Sequence, residues 1–385
     1  MFNFLRIFSP YADPFEEKVD RFFCGVKSSD NIQKIRKNLL ALMQENLLIL
    51  NVWLEKKYKG YKYLTKGMRK KMYGNERKMI AKFQEYSLGH AFSIKDVRAL
   101  LAAQGLIFPG GADTQLLYLT QIMSFLAPGK FYRYIKTASF GKLLCDPDKS
   151  MMEGDCNQIV TLYIYLFSLK FRIENLQIKL LPEHVCLHFR GIDIEATNGS
   201  FQKYSGECQV LPVTEIISTN LLDLADFREE IQSIAPRDMV KSAQLAYAIS
   251  SLRSVVEHNL GAAYQNLAVS AMKVFNFETA KFYAEKSGNK ALLRSVRHNE
   301  AVYFYEHKNL DKAVGIFSTL GEEDMVKACL QKQYNNFANE VSGVKTIEQA
   351  RKYKSTYRKM LELAGRIGNQ KLSDNVQEIL KKINI

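Results

Sequence analysis

Residues 157–171, NQIVTLYIYLFSLKF, carry apolar side chains around nearly the whole circumference of a helix. A segment of that kind needs cover on every side, so it either crosses a membrane or lies in the middle of a core. It is too short for the first role, and Lys170 and Arg172 close it at once. The sequence therefore predicts a central buried helix around which other elements must pack. The stretch MEGDC, residues 152–156, places Cys156 where that helix begins.

Behind the helix the hydrophobic period changes from that of a helix to that of a strand. LQIKLL (176–181), HVCLHF (184–189) and IDIEAT (192–197) each alternate, and Arg190-Gly191 reads as a two-residue hairpin turn. With Phe189 opposite Ile192, His188 faces Asp193, Cys186 faces Glu195 and His184 faces Thr197. All six then share one face of the ribbon, while Val185, Leu187, Phe189, Ile192, Ile194 and Ala196 share the other. Glu195 becomes a diagonal neighbour of His184, about 7 Å away at the backbone and within reach of a side-chain hydrogen bond.

A chain of 385 residues exceeds one ordinary core, and the α+β class follows from helical patterns on both sides of the strands. We expect a basic helical region at 1–95, the helix-and-sheet domain at 96–212 and a helical domain at 213–385. FPGGAD (108–113) opens the middle region, with Asp113 as the cap of the helix that follows. In the last region Asn266, Ala268, Val269, Asn276, Phe277, Ala280 and Tyr283 recur as Asn299, Ala301, Val302, Asn309, Leu310, Ala313 and Ile316. The offset of about 33 residues is that of helix-turn-helix repeats of the tetratricopeptide kind. The segment 347–369 reads as a third unit or a cap.

The formal charge of +14 implies an anionic partner: nucleic acid, lipid head groups or acidic protein. Its densest run holds Lys56, Lys57, Lys59, Lys62, Lys66, Arg69, Lys70 and Lys71, interleaved with Tyr58, Tyr61, Tyr63 and Tyr73. Two readings stay open: bases stacking on the tyrosines while the cations neutralise phosphates, or a solvated helical face whose tyrosines pack inward. Phe2, Phe4, Leu5 and Phe8 suggest interfacial contact at most, and neither a signal peptide nor a membrane span is expected. Six cysteines without a close CxxC pair fit reduced thiols and a cytoplasmic chain. His184, Cys186, His188 and Cys208 would spread over about 13 Å of strand, too far for one tetrahedral ion, so no metal or cofactor is expected.

A thiol at a helix N-terminus meets unsatisfied N–H groups and the positive end of the dipole, and a neighbouring imidazolium adds to both. Cys156 as nucleophile, His184 as base and Glu195 as orienter form a Cys-His-acid constellation; the bland alternative is a small buried hydrophobe. GDC at 154–156, PEHVCLHF at 182–189 and IDIEATNGSF at 192–201 resemble the transglutaminase-like superfamily, most closely bacterial members in which these motifs precede helical repeats. The resemblance implies a papain-like core and a cysteine-dependent acyl-transfer enzyme, protease, amidase or transglutaminase, acting on a peptide or protein amide. It implies catalytic roles for Cys156, His184 and Glu195. The Cys156 N–H is the first oxyanion donor to consider, with Asn157, Gln158 and Thr197 as further supporting residues. The family also includes inactive members, so a scaffold that binds partners through its repeats and an anion through its basic region is the other reading.

Overall fold

The computed structural model describes residues 9–137, 139–223 and 234–384; Phe2, Phe4, Leu5 and Phe8 lie outside the described residues. The chain divides into two compact units, Met1–Ala263 and Tyr264–Ile385. In chain order the first holds α1 (Pro14–Gly25), α2 (Ile32–Leu54), α3 (Lys66–Gly89), α4 (Ile94–Ala103) and α5 (Asp113–Phe125). There follow β1 (Tyr132–Tyr134), β2 (Met152–Gly154), α6 (Cys156–Ser168), β3 (Gln177–Leu181), β4 (His184–Phe189) and β5 (Ile192–Glu195). Then come β6 (Ser200–Gln202), β7 (Gln209–Pro212), α7 (Glu215–Leu222), α8 (Pro236–Ile249) and the start of α9 (Arg253–Lys273).

Helix α6 is buried without interruption from Gln158 to Phe167. Its cover comes from α2, α5 and α7 and from strand β4. Helix α2 can cover it because Leu47–Leu54 is itself buried throughout. The two apolar helices thus share one core with the sheet, and the expected segments 1–95 and 96–212 fall together in the first unit.

Five antiparallel strands form the main sheet in the order β6-β5-β4-β3-β7, and β1 pairs with β2 in a separate parallel ribbon. The hairpin register is the one expected, Phe189 with Ile192 and His188 with Asp193. Arg190 (φ 47°) and Gly191 (φ 86°) both take left-handed backbone, the type I′ geometry whose twist suits a two-residue loop. Val185, Leu187, Phe189, Ile192, Ile194 and Ala196 are all buried. The opposite face keeps the polar set. One local expectation changes: Ala112 occupies the cap position of α5, and Asp113 is its first helical residue, where a negative charge still favours the helix.

The second unit, beyond Ala263, continues with α10 (Phe277–Lys286), α11 (Lys290–Glu306), α12 (Leu310–Leu320) and α13 (Glu323–Glu340). It ends in α14 (Ile347–Lys352), α15 (Lys354–Ile367) and α16 (Gln370–Asn384). The repeat in sequence is a repeat in backbone. Phe275 (φ 56°) and Lys308 (φ 62°) hold equivalent left-handed turns, as do Gly288 (φ 68°) and Gly321 (φ 70°). Ala268, Ala280, Ala301 and Ala313 are fully buried, which lets neighbouring helices approach closely. The segment 347–369 abandons this spacing, since α14 is only 6 residues long.

Candidate active site

Each residue of the Gly154-Asp155-Cys156 triplet has a local reason to be there. A Cβ on Gly154 would stand 3.1 Å from both Gln158 Cβ and Leu143 Cδ2, so glycine is what lets β2 run directly into α6. Asp155 caps the helix, its Oδ1 accepting the Asn157 N–H at 2.9 Å, while the Gln158 side chain returns to accept the Asp155 N–H at 3.0 Å. This reciprocal box satisfies the N–H groups of Asn157 and Gln158. Cys156, the first helical residue, is half-buried, and its own N–H is not among those the cap consumes.

His184 stands between the sulfur and a carboxylate. Its Nε2 lies 2.7 Å from Glu195 Oε2, and the Cys156 sulfur is the strongest electrostatic influence on its ring. With Nε2 engaged by Glu195, Nδ1 is the nitrogen left for the thiol. Cys156 first, and then Glu195, push the imidazole up to about 10, against the burial of the ring. Glu195 is 3% exposed and is held on both oxygens. Thr197 donates its N–H (3.1 Å) and its hydroxyl (2.5 Å) to Oε1, and the Tyr204 hydroxyl donates to Oε2 at 2.7 Å. Burial opposes the charge of Glu195, but the bonds from His184, Thr197 and Tyr204 outweigh it and bring the carboxyl down to about 2. An ionised acid beside a protonated imidazole is the arrangement that orients the ring and stabilises positive charge on it.

Of the expected constellation, His184 and Glu195 are in hydrogen-bond contact, Thr197 holds the carboxylate, and Cys156 acts on the His184 ring. Gln158 is corrected. It is 2% exposed, and both ends of its amide are committed, one to the cap and the other to Asp223 Oδ2 at 3.0 Å, so it is no oxyanion donor. The pattern Asp155-x-x-Gln158 is itself a capping-box signature and could have shown this in the sequence. Tyr204 was not singled out there, because it stands in an irregular segment after β6 where no periodicity aims its side chain.

The neighbouring positions on this face do other work. Cys186 is fully buried, and burial first, then the Asp193 and Glu195 charges, push its thiol up, away from nucleophilic character. His188 Nδ1 lies 2.6 Å from Asp193 Oδ1, and Lys179 Nζ lies 2.7 Å from Asp193 Oδ2. Burial works against the Asp193 charge, yet the His188 and Lys179 bonds and the Tyr204 N–H hold its carboxyl below the usual range. This is a buried structural ion pair.

Comparison with family models, with curated proteins and with solved structures returns no match.

The basic run does not form the single cationic platform that its sequence suggested. Arg69 is 1% exposed and is bound to Glu16 at 2.7 Å, and Lys59 is equally buried, its Nζ on the Asp223 carbonyl at 2.9 Å. Lys57 pairs with Asp20 at 2.6 Å, and Lys66 donates to the Ser9 carbonyl. Tyr61 and Tyr73 are buried, and Tyr58 and Tyr63 half-buried. The two buried rings offer no open face for a base. Lys62, Lys70 and Lys71 remain exposed, and Lys56 is half-exposed. The chain's single tryptophan, Trp53, is buried with its indole N–H on Asp20 at 3.1 Å. No helix among the described residues is long and apolar enough to cross a membrane.

Proposed function

We propose that the chain is a cysteine-dependent acyl-transfer enzyme of the transglutaminase-like kind, with a papain-like core, acting on a peptide or protein amide. One observation carries this reading: His184 is hydrogen-bonded to an ionised Glu195 that is held on both oxygens, and the Cys156 sulfur is the strongest electrostatic influence on the same ring. With the proton already on His184, the Cys156 sulfur attacks the amide carbonyl carbon as the thiolate. The carbonyl oxygen gains the negative charge, and the Cys156 N–H at the start of α6 is the donor placed to receive it. As the C–N bond breaks, His184 returns its proton to the leaving amine, and a thioester remains on Cys156. Water or a second amine then attacks the thioester with His184 as base; water gives the acid and the amine gives a new amide. The helical hairpins of the second unit serve partner or substrate binding in this reading.

An activated aryl ester tests it. Acyl transfer should appear by mass spectrometry on the Cys156 peptide, be absent in Cys156→Ala, and fall sharply in His184→Ala. Added hydroxylamine should release the acyl group and so reveal competence for amine acceptors. Acyl label spread over the exposed thiols and indifferent to His184 would instead leave a binding scaffold.

A further inference from the structure

We propose that Tyr204 is a positioning residue for this chemistry: its hydroxyl fixes the Glu195 carboxylate, and through it the imidazole of His184. The proposal rests on the acyl-transfer reading above. Glu195 has four donors, and they are not equivalent. The two from Thr197 come from two residues along the chain, so they travel with Glu195 wherever the end of β5 goes. His184 is the group being oriented. Tyr204 is therefore the donor that ties Glu195 to a separate part of the fold, and it shares Oε2 with His184 Nε2, each at 2.7 Å.

The tyrosine is itself held from both backbone sides. Its N–H donates to Asp193 Oδ2 at 2.7 Å, and its carbonyl accepts from Lys179 Nζ at 2.7 Å. A residue in an irregular segment is thereby fastened to β3 and β5 by a buried ion pair. Such a pair contributes little net stability, because desolvating two charges offsets most of their attraction. It does impose one geometry, and here that geometry places a hydroxyl on the acid of the triad. Glu195, Cys186 and Asp193 are the titratable groups whose charge reaches the Tyr204 hydroxyl, and Lys179 sits on its carbonyl.

Tyr204→Phe keeps the ring and removes only the donor. In the variant, alkylation of Cys156 by iodoacetamide should slow about tenfold at pH 7, the weight of one hydrogen bond to a charged group. The rates of parent and variant should converge at pH 10, where ordinary thiols ionise without help. The downfield proton resonance of His184 Nε2–H should broaden or move upfield, with the melting midpoint nearly unchanged. A purely structural role would instead slow labelling at every pH and lower the midpoint, and would overturn the proposal. So would a variant whose resonance and rates match the parent. If the parent's Cys156 is not selectively labelled, the acyl-transfer reading fails, and the Nε2–H resonance alone decides whether Tyr204 positions the ring.

Discussion

Asp155 lies one residue before Cys156, and burial, with the Asp223 charge beside it, raises its carboxyl to about 7 against the pull of the Asn157 and Gln158 N–H groups. In the unfolded chain an aspartate releases its proton near 3.9. Folding therefore favours the protonated form, and stability falls as pH rises from about 4 to about 7. Asparagine caps helices as well as aspartate does and carries no charge. Asp155→Asn should be more stable than the parent at pH 8, by about 1 kcal/mol, with little gain at pH 4. Urea unfolding at the two values measures this, and equal pH slopes in both proteins would refute it. Glu55, which burial also raises to about 7 despite Lys59, keeps part of the slope in the variant. His184 and Glu195 act chiefly beyond the two ends of this window, and equally in both proteins. The raised imidazole gives stability that is complete below about 6.5 and lost as pH rises through about 10. The depressed carboxyl gives stability present above about 4.3 and lost as pH falls through about 2.

The β4–β5 hairpin brings His184 and Glu195 together, and its turn is the element's most exacting feature. A Cβ on Gly191 would meet nothing within 4 Å, so Gly191→Ala isolates the backbone cost of φ 86°. The substitution should destabilise by about 1–2 kcal/mol in denaturant titration and slow labelling of Cys156 only through unfolding. A neutral effect would mean that the turn is not type I′ in solution. This element was legible because period-2 alternation and an Arg-Gly turn fix register without long-range information. Helix α6 was legible for a similar reason, its apolar circumference. Gln158 was misread although Asp155-x-x-Gln158 stood in the sequence, since an amide beside a thiol invites a catalytic reading before a capping one. Tyr204 and Asp223 escaped because they lie outside regular elements and act across the fold, where neither period nor spacing aims a side chain.

At the scale of the molecule, the net charge of +14 was easily read and its placement was not. Arg69 and Glu16 are 53 residues apart in sequence and meet only in the packed core. With Tyr61 and Tyr73 buried, the basic run has charge for a polyanion to draw on but not the stacking surface of those two rings. An oligonucleotide and a polyphosphate of equal charge should bind with similar affinity and weaken alike with salt; a strong preference for the oligonucleotide, persisting at high salt, would contradict this placement. The 33-residue recurrence survived into the backbone because small buried alanines and left-handed turns are local demands. Acyl transfer by this chain requires His184 to activate the Cys156 sulfur, and residue-resolved alkylation at pH 7 tests that most directly. Cys156 should lose at least tenfold in labelling rate in His184→Ala while exposed Cys24 in the same sample stays unchanged, an effect of about 1.4 kcal/mol or more. A Cys156 labelled at the same rate with and without the imidazole would contradict it.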